Sequence, residues 1–388
     1  MSGAPDPADA LAIARALLRA PSVTPDAGAA LDLCETALKA AGFATHRLRF
    51  EAPGTAPVEN LFAKAGAGRP HLLLAGHVDV VPVGDEAAWR HAPFGGELDG
   101  GDLYGRGACD MKGAVACLIA AAAGRLRDRG APKGAISFLL TGDEEGPAVN
   151  GTAPALEWAR AQGEVFDHCL LGEPTNPDAL GDMMKIGRRG SLTGRLVVDG
   201  VQGHVAYPER ALNPVPALMR LMRALDGRPL DEGSAHFVAS NLEFVTVDVG
   251  NPAANVIPAR ARATFNVRFN DRWTAASLAA ELRARAAGAG AGAPWTLTFD
   301  PSNAESFVTP AGGFAALVAD AAQAETGRRP EASTTGGTSD ARFLKDHCEV
   351  VEFGLVGASM HGVDERAAVA DIETLARIYR RIIDAVVP

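Results

Sequence analysis

The chain has 388 residues, 47% of them hydrophobic and 22% charged, a balance that excludes a disordered polymer and supports a folded protein with a substantial core. Its formal net charge of -10 excludes the basic surface that a phosphate backbone needs, so no nucleic-acid partner is expected. A small anion remains possible as a ligand, because charge is screened over about 8 Å and a local group of Arg can dominate.

Five cysteines, an odd number with no C-x-x-C pair, predict buried reduced thiols and a cytoplasmic location. Met1–Ala10 has neither the basic start nor the apolar stretch of an export signal. No apolar run approaches the roughly 20 residues of a membrane span, so no membrane association is expected.

In chain order, Ala8–Ala20 carries Leu11, Ile13, Ala14, Leu17 and Leu18 at helical spacing. A second helix is predicted over Ala29–Ala40, stopped by Gly42. His71–Ala75 is a short apolar run between Pro70 and Gly76, which predicts a buried strand. Met111–Leu126 predicts a long Ala-rich helix, and Ala135–Thr141 and Asp167–Leu171 two further buried strands. Strands alternating with helices predict an α/β sheet flanked by helices. From Ser191 the pattern alternates as one-side-buried strands over Ser191–Asp199, Val245–Val249 and Ala261–Phe269, with helices near Val215–Leu225 and Ala275–Ala286. Ala287–Ala293 predicts a flexible loop. The resulting organisation is a discontinuous domain over 1–188 and 302–388, with an α+β insert over 189–301.

Chemistry-bearing residues gather at the predicted strand ends. In Gly76-His77-Val78-Asp79, alternate residues of an extended segment share a face, so His77 and Asp79 point together and the Asp79 carboxylate can orient the imidazole. In Gly105-Arg106-Gly107-Ala108-Cys109-Asp110-Met111, Asp110 precedes a helix and could be an ordinary N-cap. The glycines, however, allow a tight approach to a crowded site, where a carboxylate can bridge two cations. Thr141-Gly142-Asp143-Glu144-Glu145 and Leu171-Gly172-Glu173 end apolar strands, where α/β sheets place their sites. Ser359-Met360-His361-Gly362 adds a second His. Two His with three carboxylates and no thiolate form a donor set suited to Zn²⁺. Two metals sharing one carboxylate make a hydrolytic centre. No G-x-x-x-x-G-K-[ST] loop and no G-x-S-x-G elbow is present.

These motifs resemble the M20 peptidases, a superfamily of zinc aminoacylases and carboxypeptidases, from about Leu11 to Ile383. The resemblance implies a zinc-peptidase-like catalytic domain whose mixed sheet is flanked by helices, with the insert acting as lid and dimerisation domain. It implies two Zn²⁺ per subunit, with Co²⁺ able to substitute. His77, Asp110 and Glu173 would hold one, and Asp110, Glu145 and His361 the other. Glu144 would be the general acid/base, Asp79 would orient His77, and the Asp110–Met111 peptide would be cis.

Lys185–Ser191, Gln202–Pro208 with Asn213-Pro214, and Gly336–Arg342 are most similar to the branch of the family that removes succinyl groups from an amino acid of lysine biosynthesis. That branch implies hydrolysis of N-succinyl-LL-2,6-diaminopimelate, a small anionic acyl-amino-acid substrate. It also implies a homodimer through the insert, in which His204 reaches the partner's site as an oxyanion donor. Arg188, Ser191, Asn255, Arg268, Thr338 and Ser339 would be substrate contacts. After His361 the family often continues Lys-Val-Asn-Glu, where this chain has Gly362-Val363-Asp364-Glu365. The competing expectations are another deacylase or dipeptidase of the same superfamily, or a metal-poor binding protein.

Overall fold

The computed structural model describes residues 5–388, so the first residues of the segment read as lacking an export signal lie outside the described residues. The chain divides into two compact units. The first comprises 1–187, 309–333 and 339–388, and the second comprises 188–308 and 334–338.

The first unit is built on an eight-stranded mixed sheet. From one edge its order is Ala44–Phe50, Val58–Ala67, Gly134–Thr141, His71–His77, His168–Leu171, Glu349–Glu352, Met183–Lys185 and Glu331–Ser333. The four middle strands, from Gly134–Thr141 to Glu349–Glu352, run parallel. His71–His77, Gly134–Thr141 and the latter part of His168–Leu171 are almost wholly buried, as expected for strands covered on both faces. Their register pairs His77 with Thr141 and Ala75 with Leu171. The segments after His77, Thr141 and Leu171 therefore leave the sheet side by side at its carboxyl end.

Helix Lys112–Arg129 is buried on every side from Lys112 to Arg125. Its Ala-rich sequence suits this, since a helix apolar all round belongs inside a core. It packs against the first helix, Ala10–Leu18, and the last, Val369–Val386. Met111 supplies the N-cap position with no side-chain cap bond, so Asp110 is not an N-cap. Met111 is fully buried, and a Cβ on Gly76 would lie 2.5 Å from its Cε, one on Gly172 2.8 Å from it. Two bare glycines at adjacent strand ends thus let Met111 sink between them and seat Asp110 above the sheet.

In the second unit a four-stranded antiparallel sheet runs in the order Asn241–Asp248, Arg260–Phe269, Gly190–Asp199 and Trp295–Phe299. Alternate residues Leu192, Leu196 and Val198, with Ala261 to Phe269, pack against Leu218, Leu221, Leu278 and Leu282 of helices Val215–Asp226 and Ala275–Ala286. Strand Asn241–Asp248 is an edge, and Val245 and Val247 on it are 60% and 54% exposed.

All five cysteines are free; four are buried and Cys348 is half-buried, more open than predicted because it lies just ahead of its strand. Among the described residues, no helix is long and apolar enough to cross a membrane.

Candidate metal centre and active site

The carboxyl end of the parallel strands brings five predicted ligands together from five separate stretches of chain. His77 Nε2 lies 3.2 Å from Asp110 Oδ1 and 3.9 Å from Glu173 Oε1. His361 Nε2 lies 3.2 Å from Asp110 Oδ2 and 2.9 Å from Glu145 Oε1. Each of the two trios, His77/Asp110/Glu173 and Asp110/Glu145/His361, has donor atoms within 4.8 Å of one another. Asp110 belongs to both, and presents one oxygen to each imidazole.

Electrostatics set the fit. His77 is fully buried, which lowers the pKa of its ring, but the hydrogen bond to Asp110 and the charges of Glu173 and Glu144 raise it well above the usual value. Hydrogen bonds to Asp110 and Glu145 push His361 up to about 10. Burial pushes Glu173 well above the carboxylate range, and its Oε1 has no hydrogen-bond partner. Burial, opposed by His77 and reinforced by Asp340, Glu145 and Asp110, pushes Glu144 up to about 8. The carboxylates thus favour positive charge at both imidazoles. Divalent cations supply that charge without protonating a ligand. The residues present fit a pair of such ions, with all-nitrogen-and-oxygen donors. Cys109 is close in sequence, but burial and Glu365 hold its thiol well above its usual pKa and keep it protonated.

The Asp79 carboxylate lies beside His77 but outside hydrogen-bond distance of its ring. His77 Nδ1 lies 2.9 Å from the Asp79 backbone carbonyl, with the carboxylate 3.7 Å away. The carboxylate instead accepts the Glu144 and Glu145 amides at 3.3 and 3.0 Å. The carbonyl orients the ring while the side chain fixes the turn that carries both glutamates. Burial pushes this carboxyl up to about 6.

Exposure shows where the site opens. The side chains of His77, Asp110, Glu145 and Glu173 are 1–9% exposed, whereas that of His361 is 48% exposed. Access is therefore from the His361 side. The Asp110–Met111 peptide is cis, as expected.

The predicted substrate contacts divide. Ser339 is in the first unit, buried, with its hydroxyl 3.0 Å from Glu352 Oε1. Arg188, Ser191, His204, Asn255, Arg268 and Thr338 belong to the second unit. There Ser191 pairs with Arg268 across two strands, and Arg188 donates to the Gly337 carbonyl at 3.2 Å. His204 is exposed and pairs with Val256, beside Asn255; its Nδ1 accepts the Ala206 amide at 3.1 Å. Two residues quoted without a role in the motifs above, Arg106 and Glu365, prove to be buried and ion-paired at 2.8 Å behind the candidate ligands.

The profile of peptidase family M20/M25/M40 matches residues 73–385. The chain belongs to this family. A protein of Methylobacterium sp. (strain 4-46) named succinyl-diaminopimelate desuccinylase is 63% identical, over 97% of this chain and 96% of its own length. Among solved structures, a tripeptidase from Staphylococcus aureus superposes with a TM-score of 0.77 at 17% identity, covering 99% of each chain. A dinuclear metal-binding M20 peptidase from Bacillus subtilis gives 0.69 at 17% identity, covering 97% of each.

Proposed function

We infer that this M20 enzyme hydrolyses N-succinyl-LL-2,6-diaminopimelate to succinate and LL-2,6-diaminopimelate, a step of lysine and diaminopimelate biosynthesis. The observation that carries this is the 63% identity, across nearly the full length, to a protein named for that activity. The site supports it with a constellation suited to amide hydrolysis. His77, Asp110 and Glu173 would hold one Zn²⁺, and Asp110, Glu145 and His361 a second. Such a pair supplies Lewis acidity toward the amide carbonyl and lowers the pKa of water.

The chain's own residues carry the proton traffic. Glu144 accepts a proton from the attacking water as its oxygen adds to the succinyl carbonyl carbon, and returns it to the amine nitrogen as the C–N bond breaks. Asp79 fixes the turn on which Glu144 is mounted. Because His204 Nδ1 accepts the Ala206 amide, the neutral ring carries its proton on Nε2, and that N–H is available to an oxyanion. We assign it to the site of a second copy of the chain, joined through the insert. The exposed edge strand Asn241–Asp248 with Val245 and Val247 supports such pairing, since an open edge is a template for another strand. Arg188 and Arg268 suit the substrate's carboxylates, which guanidinium groups bind bidentately.

The test is a panel of N-succinyl-diaminopimelate, N-acetylornithine and dipeptides with zinc-loaded protein. The succinyl substrate is expected to give the highest kcat/KM. Preference for acetylornithine or for a dipeptide would replace this reading with another specificity of the family.

A further inference from the structure

The Arg106–Glu365 pair has no part in the chemistry above, yet it joins the two loops that carry the shared ligand and the exposed one. Glu365 is fully buried, and its Oε2 accepts from Arg106 Nη1 at 2.8 Å. Its Oε1 accepts the backbone amides of Cys109 and Asp110, each at 3.2 Å. Arg106 Nη1 also donates to the Gly362 carbonyl at 3.0 Å, and Nη2 to the His361 carbonyl at 3.4 Å. The guanidinium lies 5.0 Å from the centre of the Trp89 ring, which closes its remaining face. Two segments separated by 255 residues are thereby joined through the backbones of two metal ligands.

His361 needs such a hold. Its φ is 59°, and that of Asp364 is 55°, both left-handed in residues with a Cβ. Such conformations are strained and persist only where the surroundings over-determine them. Packing does not fix the half-exposed His361 ring. Asp364 anchors the far side of the loop by accepting the amides of Arg90 and His91 at 2.8 and 3.3 Å. Arg106 anchors the near side. Stability alone does not account for the pair, because a buried ion pair often gains nothing over apolar residues of the same size.

We propose that Arg106 and Glu365 are positioning residues for the second metal position, holding His361 against Asp110 so that both can share one cation. The proposal rests on the two-cation reading of the site. The two residues differ in reach, because Arg106 bonds the Gly362 and His361 carbonyls and, at 3.5 Å, the Pro82 carbonyl, whereas Glu365 holds the backbone of Asp110. Removing Arg106 therefore weakens the position made by Asp110, Glu145 and His361, and spares the one made by His77, Asp110 and Glu173.

The experiment is a calorimetric zinc titration of metal-stripped wild type, Arg106→Met and Arg106→Lys, with thermal unfolding of each stripped protein alongside. Wild type is expected to take two equivalents. In Arg106→Met the first equivalent should bind as in wild type and the second at least about ten-fold more weakly, as for other residues that orient metal ligands. Arg106→Lys keeps the charge toward Glu365 but not the fork across two carbonyls, and should fall between them. Unchanged affinity for both equivalents in Arg106→Met overturns the proposal, whatever happens to Tm. Equal weakening of both equivalents overturns it too, because that marks general loosening. Should Arg106→Met fail to fold, Arg106→Lys decides on the same criteria. A wild type that binds fewer than two equivalents removes the two-cation reading, and this proposal with it.

Discussion

Glu144 and Glu145 are neighbours in the chain to which we assign separate tasks, and what surrounds each accounts for the division. Glu145 Oε1 faces the His361 ring at 2.9 Å, a ligand's position. Glu144 stands among the negative charges of Asp340, Glu145 and Asp110, which with burial raise its proton affinity. Cations in the two trios would offset that repulsion and leave Glu144 poised to take and return a proton. Glu144→Gln should keep both metals by elemental analysis while kcat falls by about 10²–10⁴-fold, the usual worth of a general base. Near-normal turnover would take Glu144 out of the mechanism. The grouping of the candidate ligands was legible in the sequence because His77, Glu145 and Glu173 follow buried apolar runs, and Asp110 follows a glycine-rich approach that an ordinary helix cap does not need. The roles of the Asp79 carbonyl, and of Arg106 and Glu365, were not legible. Those residues act on backbone amides and carbonyls, and a backbone group leaves no mark in the residue type that bears it.

At the level of elements, His71–His77, Gly134–Thr141 and His168–Leu171 of the first unit and Gly190–Asp199 and Arg260–Phe269 of the second lie close to the limits that periodicity predicted. Glu349–Glu352 went unread, and the strand expected at Val245–Val249 runs over Asn241–Asp248 with Val245 and Val247 exposed instead of buried. Helix Ala275–Ala286 lies where its apolar spacing put it. The hairpin Ala44–Phe50 with Val58–Ala67 went unread, because Arg47, Arg49 and Lys64 interrupt its apolar alternation with exposed or ion-paired positions. One loop in the second unit concentrates its order on a single carboxylate. Asp231 accepts from the Gly233 and Ser240 amides at 2.8 and 3.1 Å, from Asn270 Nδ2 at 2.6 Å and from the Trp273 indole at 2.8 Å. Burial would raise its pKa, but the hydrogen bonds prevail and lower it to about 2. A folded pKa below the unfolded one stabilises the fold above the ordinary carboxylate range, and that stabilisation is lost as pH falls toward 2. Asp231→Ala should therefore cost about 2 kcal/mol in urea unfolding at neutral pH, from donors left unsatisfied. The difference from wild type should shrink between about pH 4 and pH 2. A difference that stays constant across that range would assign the loss to something other than the carboxylate's charge.

At the scale of the whole molecule, the proposed dimer places Glu144 and His204 of any one working site on different chains. Glu144→Gln and His204→Ala variants, each nearly inactive alone, should then regain turnover when unfolded together and refolded as mixed dimers. Mixed dimers that stay as inactive as the parents would return His204 to its own chain's site. The first helix bears on how short a working chain can be. The family profile begins at residue 73, but Lys112, two residues past Asp110 and fully buried, donates to the carbonyls of Leu17 and Ala20 at 3.0 and 2.8 Å. A truncated chain starting beyond Ala20 would remove both acceptors of the Lys112 amine, whose pKa burial already lowers to about 7, and should lose stability by about 1–3 kcal/mol. The catalytic machinery is thus sutured to a helix that contributes no atom to it.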